Sequence, residues 1–233
     1  MKRAATTFLI PLVALVATAT LSTRADAAFR IPQVAVLGGS LQGYLNGVGE
    51  SINVNTDQDV TQAWAKTTSN TTAYTIQLLG SPNAAVLSLH MYNSTAGVPA
   101  LYHLLTGSAG ILGYSTATFQ AGGNLVVNRF DSGANFLSTT TYGGADPNGF
   151  GFALSGPGGT YYTQDFRNPG GLAQALAYRG TGANAGTWWL CWEESNRSAG
   201  ADDDFDDCVI LMESVNPTPV SRTTWGTLKT RFR

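Results

Sequence analysis

Short apolar segments separated by turn-forming residues run along most of this chain and limit the folds it can adopt. Thirteen segments of 4 to 9 residues are predicted as strands. They are residues 51–55, 61–67, 72–79, 84–92, 100–105, 116–119, 124–130, 135–142, 149–154, 160–164, 173–179, 186–193 and 207–214. Glycine, proline and asparagine punctuate them, for example at 80–83, 143–149 and 156–159. Many short strands without alternating helices predict an all-β fold, an antiparallel β-sandwich of jelly-roll type.

One short N-terminal helix is expected at residues 40–47, where Ser40 is a suitable N-cap and Leu41, Tyr44 and Leu45 share a face. The chain shows no internal repeat, which argues against a solenoid or a propeller. A single sandwich domain is therefore predicted over residues 28–215, with a possible short strand at 34–37.

The first 27 residues have the pattern of a secretory signal peptide. Lys2 and Arg3 precede an apolar stretch, and Ala25-Asp26-Ala27 forms a small-residue cleavage site. Cleavage before Ala28 would leave about 206 of the 233 residues. We therefore expect a secreted, extracellular protein exported through a Sec signal peptide.

Charge is sparse in this chain, at 12% of residues. Without residues 1–27, the 13 basic and 15 acidic residues fall to 10 and 14, a net charge of −4. No basic patch lies outside the extreme C-terminus, so nucleic acid is not an expected partner. No second apolar stretch reaches the ~18 residues that span a bilayer, so no membrane span is expected in the mature chain.

A C-terminal tail is predicted over residues 216–233, because Pro217 and Pro219 should keep the chain out of any ladder. The tail carries three basic residues after position 228. It is expected to be a frayed end, with a docking or sorting signal as the alternative.

An acidic run, Asp202-Asp203-Asp204-Phe205-Asp206-Asp207, holds five of the fifteen carboxylates. Like charges this close repel by roughly 4 kcal/mol per pair at 4 Å and an effective dielectric near 20. Water or a cation must relieve that repulsion. In an extended segment the carboxylates at 202, 204 and 206 point to one side, and such hard oxygen ligands suit Ca²⁺.

An EF-hand is excluded, because Asp207 takes the glycine position and residues 208–212 read as a strand. A strand-flanked site remains, with further ligands from Glu193 or Glu194 across the hairpin. The predicted Ca²⁺ ligands are Asp202, Asp204, Asp206, Asp207, Glu193 and Glu194. Asp203 points the other way and should be dispensable.

The two cysteines, Cys191 and Cys208, are predicted to form a disulfide in an oxidising compartment. If Glu193 and Asp206 close the hairpin loop, the two cysteines lie opposite each other. A bridge there would stabilise by about 3 kcal/mol. A metal-thiolate pair is the disfavoured alternative.

The other chemistry-bearing residues favour binding over catalysis. Trp188, Trp189 and Trp192 alternate along one strand, so at least one is expected to be exposed as a candidate glycan contact. A glycosidase pair of Glu193 or Glu194 with Asp206 is disfavoured, because nothing in the sequence supplies a raised pKa. His90 and His103 are expected to be half-exposed strand residues rather than bases or ligands.

Several motifs give the chain a family resemblance. They are Asn148-Gly149-Phe150-Gly151-Phe152, Gln174-Ala175-Leu176-Ala177-Tyr178, Trp189-Leu190-Cys191-Trp192-Glu193-Glu194 and the acidic run. Together they resemble the DUF4114 domain of secreted bacterial proteins, strongly over residues 148–214 and more loosely before. The resemblance implies an extracellular, calcium-dependent β-sandwich of surface layers, matrix or adhesion, without enzymatic activity. The end lacks the Pro-Glu-Pro motif and anchor helix of many such proteins, so release or another sorting route is expected.

The sequence thus predicts a secreted, non-catalytic Ca²⁺-binding sandwich with a role in extracellular matrix, surface layer or adhesion. The expected partners are extracellular polysaccharide or cell-surface components. A lectin-like carbohydrate-binding module is the first alternative, and a carbohydrate-active hydrolase is the second.

Overall fold

A computed structural model describes residues 40–218, which form one helix and thirteen strands. Helix α1 is Ser40–Gly47. The strands are β1 Trp64–Lys66, β2 Thr71–Leu78, β3 Ser88–Asn93, β4 Tyr102–Thr106, β5 Tyr114–Phe119, β6 Leu125–Phe130, β7 Phe136–Tyr142, β8 Phe150–Gly156, β9 Gly159–Tyr162, β10 Ala175–Arg179, β11 Trp188–Trp192, β12 Cys208–Glu213 and β13 Val215–Pro217. The predicted signal peptide, the candidate strand at 34–37 and the tail beyond 218 lie outside the described residues.

The strands form two antiparallel sheets, which confirms the predicted all-β sandwich. The large sheet has the order β10-β11-β12-β2-β5-β6-β7. The small sheet has the order β13-β1-β8-β3-β4, and β9 also pairs with β8. The jelly-roll assignment stays a prediction.

A continuous apolar core lies between the two sheets. Alternate residues of β2 point into it, so that Tyr74 and Ile76 are buried while their neighbours are half-exposed. The aromatic rings of Trp64 and Tyr74 both contact Phe152, with ring centres 5.3 and 5.4 Å apart. The period-2 alternation of the sequence is therefore the pattern that fixes which face of each strand is inside.

A second, smaller core covers the outer face of β10, β11 and β12. Leu41 and Leu45 of α1 pack there against residues of the large sheet, including Trp189. Tyr44 meets Trp189 edge-on, with ring centres 6.2 Å apart. Because α1 and the segment after it cover this face, β11 is buried on both sides.

Glu50 links the segment after α1 to the large sheet through hydrogen bonds. The Glu50 carboxylate accepts hydrogen bonds from Trp189 Nε1 at 2.8 Å, from Asn184 Nδ2 at 2.7 Å, and from the amide and hydroxyl of Thr181 at 2.6 Å each. Burial alone would raise the pKa of Glu50, but these donors outweigh it and the pKa is lowered. Glu50 therefore serves as a buried anchor in its ionised form.

Two boundary predictions are wrong. Residues 51–55 form no strand; Asn53 and Asp57 instead build a turn in which the amide of Asn53 donates to Asp57 Oδ2 at 2.8 Å. The ladder also runs past the predicted boundary at 216, because β13 pairs with β1 through Pro217. Proline is tolerated there because β13 is an edge strand. Across residues 40–218, no helix has the length and apolar character to cross a bilayer.

Candidate metal centre

The acidic residues lie in the loop that joins β11 to β12. Glu193 and Glu194 leave the end of β11, and the run at 202–207 leads directly into β12. The amide of Glu193 still donates to the Gln174 carbonyl at 3.0 Å, so the sheet fixes this glutamate's position. The two ends of the loop therefore meet at one edge of the large sheet.

The acidic run is a tight loop rather than the extended segment expected from the sequence. Asp203 and Phe205 both have left-handed backbone, with φ of 59° and 56°. Phe205 is fully buried in the smaller core, and Arg197 lies 5.1 Å above its ring. Arg197 also pairs with Asp203, with Nη2 3.0 Å from Oδ2. Burial of the Phe205 ring thus holds the loop in place. Asp203 pairs with Arg197 and points away from its acidic neighbours.

Three carboxylates converge on one point. Oxygen atoms of Glu193, Asp204 and Asp207 all lie within 4.8 Å of one another. Oxygens around a Ca²⁺ at 2.3–2.6 Å are at most about 4.6–5.2 Å apart, so this spacing fits that ion. Their burial differs, since Glu193 is fully buried and Asp204 is only half-buried.

The other three predicted ligands lie beside this trio rather than in it. The Asp206 amide donates to Asp204 Oδ1 at 3.2 Å, and its carboxyl contacts that of Asp204. Asp202 is exposed but close enough to act electrostatically on Glu193. Glu194 Oε1 accepts a hydrogen bond from Asn83 Nδ2 at 2.9 Å. Their part as ligands stays a prediction.

Burial and the repulsion between neighbouring carboxylates raise the pKa values of three of these groups. Burial, then the charge of Asp207, raises the pKa of Glu193 to about 9. Burial and the neighbouring charge of Asp204 raise the pKa of Asp206 to about 7. Burial also raises the pKa of Asp207 to about 6, against the hydrogen bond from the Glu194 amide at 2.7 Å. The cluster therefore favours either bound protons or a bound cation.

No basic side chain in the described part of the chain neutralises the trio. The ion pairs of residues 40–218 join Arg179 to Asp59 and Arg197 to Asp203. Glu193 is 0% exposed; its Oε1 accepts a 3.3 Å bond from the Ser195 amide, and its Oε2 is buried and meets no hydrogen-bond donor among residues 40–218. The Glu193 carboxyl group also contacts that of Asp207, and the two can share a hydrogen bond only when one of them is protonated. An orphaned buried carboxylate oxygen is costly unless a cation or proton satisfies it. These residues therefore fit a hard divalent cation.

Neighbouring loops that sequence reasoning missed hold the site in place. The Gly80 amide donates to the Asp206 carbonyl at 3.0 Å, and Asn83 from the same β2–β3 connection holds Glu194. A Cβ placed at Gly158, in the β8–β9 turn, would lie 2.6 Å from the Glu194 carbonyl oxygen. Glycines in predicted turns were visible in the sequence, but nothing there showed that they abut the acidic loop.

The predicted disulfide is wrong. Trp192 pairs with Cys208 and Cys191 pairs with Val209, one residue away from the expected register. A slip of one residue reverses the face of every side chain. Cys208 consequently lies in the core between the sheets and Cys191 in the smaller core, and both are free. Side chains on opposite faces of the sheet cannot form a bridge, and burial raises the pKa of the Cys208 thiol to about 12, which disfavours a thiolate ligand.

The predicted exposure of tryptophan is also wrong. Trp188 and Trp192 point into the core between the sheets, as the alternation indicates, and Trp189 points to the other face. All three are buried because α1 covers that second face. None of them can contact a glycan from this position.

The prediction that no carboxyl group has the raised pKa of a glycosidase acid is also wrong. The structure does supply the raised pKa that a general acid needs, at Glu193. Glu193 is nevertheless fully buried, so a polysaccharide cannot reach its carboxyl group.

Comparisons with known proteins return no match to any family model, any characterised protein or any solved structure. Membership of the DUF4114 family therefore stays a prediction.

Proposed function

We propose that this chain is a secreted, non-catalytic β-sandwich that binds one Ca²⁺ at the acidic loop and serves in extracellular matrix, a surface layer or adhesion. Glu193, Asp204 and Asp207 would supply the first ligands, and water would contribute to a set of 6–8 oxygens. Asp202, Asp206 and Glu194 remain candidate ligands beside the trio. The bound ion would neutralise the carboxylates and satisfy the orphaned oxygen.

One observation carries the proposal: the buried Oε2 of Glu193 has no hydrogen-bond partner beside two further converging carboxylates. An acidic loop on the surface would be screened by water. Here the glutamate is fully buried, and the arginine nearest in sequence is committed to Asp203. A cation is the partner that this arrangement favours over a solvated turn.

A structural role for the ion is supported by the loops around it. The acidic loop contacts the β2–β3 connection, which passes from one sheet to the other, through Gly80 and Asn83. A metal there would stiffen one end of the sandwich. Ca²⁺ sites of extracellular modules typically have dissociation constants of about 10⁻⁴–10⁻³ M, which suits a site of this kind.

The two alternatives have less support. The lectin-like module rested on exposed tryptophan, and Trp188, Trp189 and Trp192 are buried. The hydrolase needs a reachable acid, and Glu193 is fully buried. Polysaccharide hydrolysis by the wild type that is abolished by Glu193→Gln would revive the hydrolase.

Thermal melts in Ca²⁺ and in chelator test the metal claim. At 10 mM Ca²⁺ and a dissociation constant of 0.1–1 mM, binding stabilises by about 1.4–2.7 kcal/mol, or about 3–10 °C in Tm. Asp204→Asn should abolish this shift, while Asp203→Asn, which removes only the partner of Arg197, should keep it. Equal shifts in the two variants would show that the ion binds elsewhere.

A further inference from the structure

The two histidines of the chain lie side by side on the outer face of the small sheet. His90 of β3 is the register partner of His103 of β4, and the ring centres are 5.4 Å apart. A β-bulge between Leu89 and His90 brings them opposite each other. The full sequence has only 2 histidines, so this pair holds every imidazole of the protein.

Each ring has one nitrogen that meets no hydrogen-bond partner among residues 40–218. These atoms, His90 Nδ1 and His103 Nε2, are buried, although neither residue is fully buried. A neutral imidazole carries a lone pair on one ring nitrogen, so an unpaired ring nitrogen is a candidate ligand atom.

The spacing of the rings suits shared coordination of one ion. If both imidazole nitrogens bound one metal at about 2.0–2.1 Å, the metal would lie about 3.2 Å from each ring centre. A tetrahedral angle at the metal would then place the two ring centres about 5.2 Å apart. The observed separation is 5.4 Å. An open cleft of about 470 Å³, lined by Val86, Ser88, His90, Ser155, Gly156 and Pro157, borders the His90 side of the pair.

We propose that His90 and His103 form a two-imidazole site for a borderline divalent transition metal, with Cu²⁺ bound more tightly than Ni²⁺ or Zn²⁺. Imidazole selects these ions over Ca²⁺, and the affinity order follows the general series for nitrogen ligands. Water entering through the cleft completes the coordination shell. The site is chemically distinct from the acidic loop, where the ligands are carboxylate oxygens.

Arg129 sets a limit on the affinity. Its guanidinium donates to the His103 carbonyl and to Thr140 Oγ1, the latter at 2.9 Å, and acts electrostatically on both rings. This positive charge repels a cation bound between the two rings. We therefore expect weakly binding ions such as Mg²⁺ and Mn²⁺ not to bind at the site, and Cu²⁺ to be favoured.

Electron paramagnetic resonance of the untagged full chain with one equivalent of Cu²⁺ tests the proposal. Hyperfine coupling to two imidazole nitrogens is expected. His90→Ala and His103→Ala should each weaken Cu²⁺ binding by about 100-fold, since one ligand is lost from a two-point site. Asp204→Asn is the matched control and should bind Cu²⁺ like the wild type.

Two results would overturn the proposal. One is a Cu²⁺ spectrum with oxygen ligands only, and the other is Cu²⁺ binding that is lost in Asp204→Asn but kept in both histidine variants. Should a variant fail to fold, nuclear magnetic resonance of the wild type decides. Substoichiometric Ni²⁺ must then broaden both imidazole signals together, and unchanged signals reject the site.

Discussion

Glu193 is the residue on which the metal site depends, because its side chain is 0% exposed whereas Asp204 is only half-buried. Its position follows from the sheet, since its amide still belongs to the ladder with Gln174. A buried carboxyl group without a donor gains most from a cation and loses most without one.

Replacing Glu193 with glutamine should therefore matter in Ca²⁺ far more than in chelator. In chelator near pH 7 the Glu193 carboxyl group is protonated, so Glu193→Gln exchanges one neutral group for another and Tm should change little. In Ca²⁺ it removes a ligand, so the Ca²⁺-induced rise in Tm should vanish. Paired thermal melts measure both effects, and a variant that melts lower in chelator but keeps the Ca²⁺ shift would show a purely structural glutamate.

At the residue scale, the sequence identified the acidic residues that converge but not all of their surroundings. The sequence predicted that Asp203 points away from the other acidic side chains, and in the structure Asp203 pairs with Arg197. The expected extended segment was wrong, because Phe205 is drawn into the smaller core and the backbone turns left-handed to allow it. That core includes Leu41 and Leu45 of α1 and residues of β10, β11 and β12, most of them far away in the sequence, so local patterning cannot reveal it.

Among the elements, the β2–β3 connection controls the shape of the acidic loop through Gly80. A Cβ at Gly80 would lie 2.2 Å from Asp206 Oδ1 and 2.9 Å from the Asp206 carbonyl oxygen. Such contacts force a shift of backbone as well as side chain.

Gly80→Ala should accordingly displace Asp206 and weaken Ca²⁺ binding by about tenfold, the range seen when groups supporting metal ligands are disturbed. Gly97→Ala is the control, since a Cβ there meets nothing within 4 Å. Calcium titration calorimetry on both variants measures the effect. Wild-type affinity in Gly80→Ala would mean that Asp206 and its loop take no part in the site.

Strand positions could be predicted from alternation, but pairing could not. Twelve of the thirteen predicted segments overlap an observed strand, whereas the β11–β12 register is off by one. Register depends on how the intervening loop closes, and that loop contains three left-handed residues, Gly200, Asp203 and Phe205, that an extended segment would not have. The one-residue error is enough to convert a predicted disulfide into two free cysteines on opposite faces.

Thiol titration checks this register directly. Protein purified without reductant should show two reactive thiols per chain in denaturant and almost none when folded, because Cys191 and Cys208 are buried. A chain that yields no thiols in denaturant would restore the disulfide and contradict the observed pairing.

Across the whole molecule, the acidic cluster predicts an unusual dependence of stability on pH. The pKa values of Asp207, Asp206 and Glu193 are raised to about 6, 7 and 9 in the folded chain. The folded, metal-free protein therefore binds more protons than the unfolded chain over this range. This contribution to the free energy of unfolding is fully present below the unfolded pKa values near 4 and declines as pH rises above them. The decline should continue between pH 6 and pH 9, mainly through Glu193.

Ca²⁺ should reverse that trend, since binding requires ionised ligands and so tightens as pH rises. Denaturant unfolding at pH 6 and pH 9, with Ca²⁺ and with chelator, measures both slopes. Glu50 and Asp59 have lowered pKa values, so their contribution to the free energy of unfolding is lost only below about pH 4. They do not affect the comparison between pH 6 and pH 9. A metal-free protein equally stable at pH 6 and pH 9 would show that the cluster is solvated.

One Ca²⁺ should bind where Glu193, Asp204 and Asp207 converge. Calorimetric titration of Ca²⁺ into the chelator-treated chain at pH 7.5, repeated in buffers of different ionisation enthalpy, measures this binding. We expect one ion per chain, with protons released on binding because Glu193 is protonated in the free protein. Absence of saturable binding at millimolar Ca²⁺, or an unchanged titration in Asp204→Asn, would contradict it.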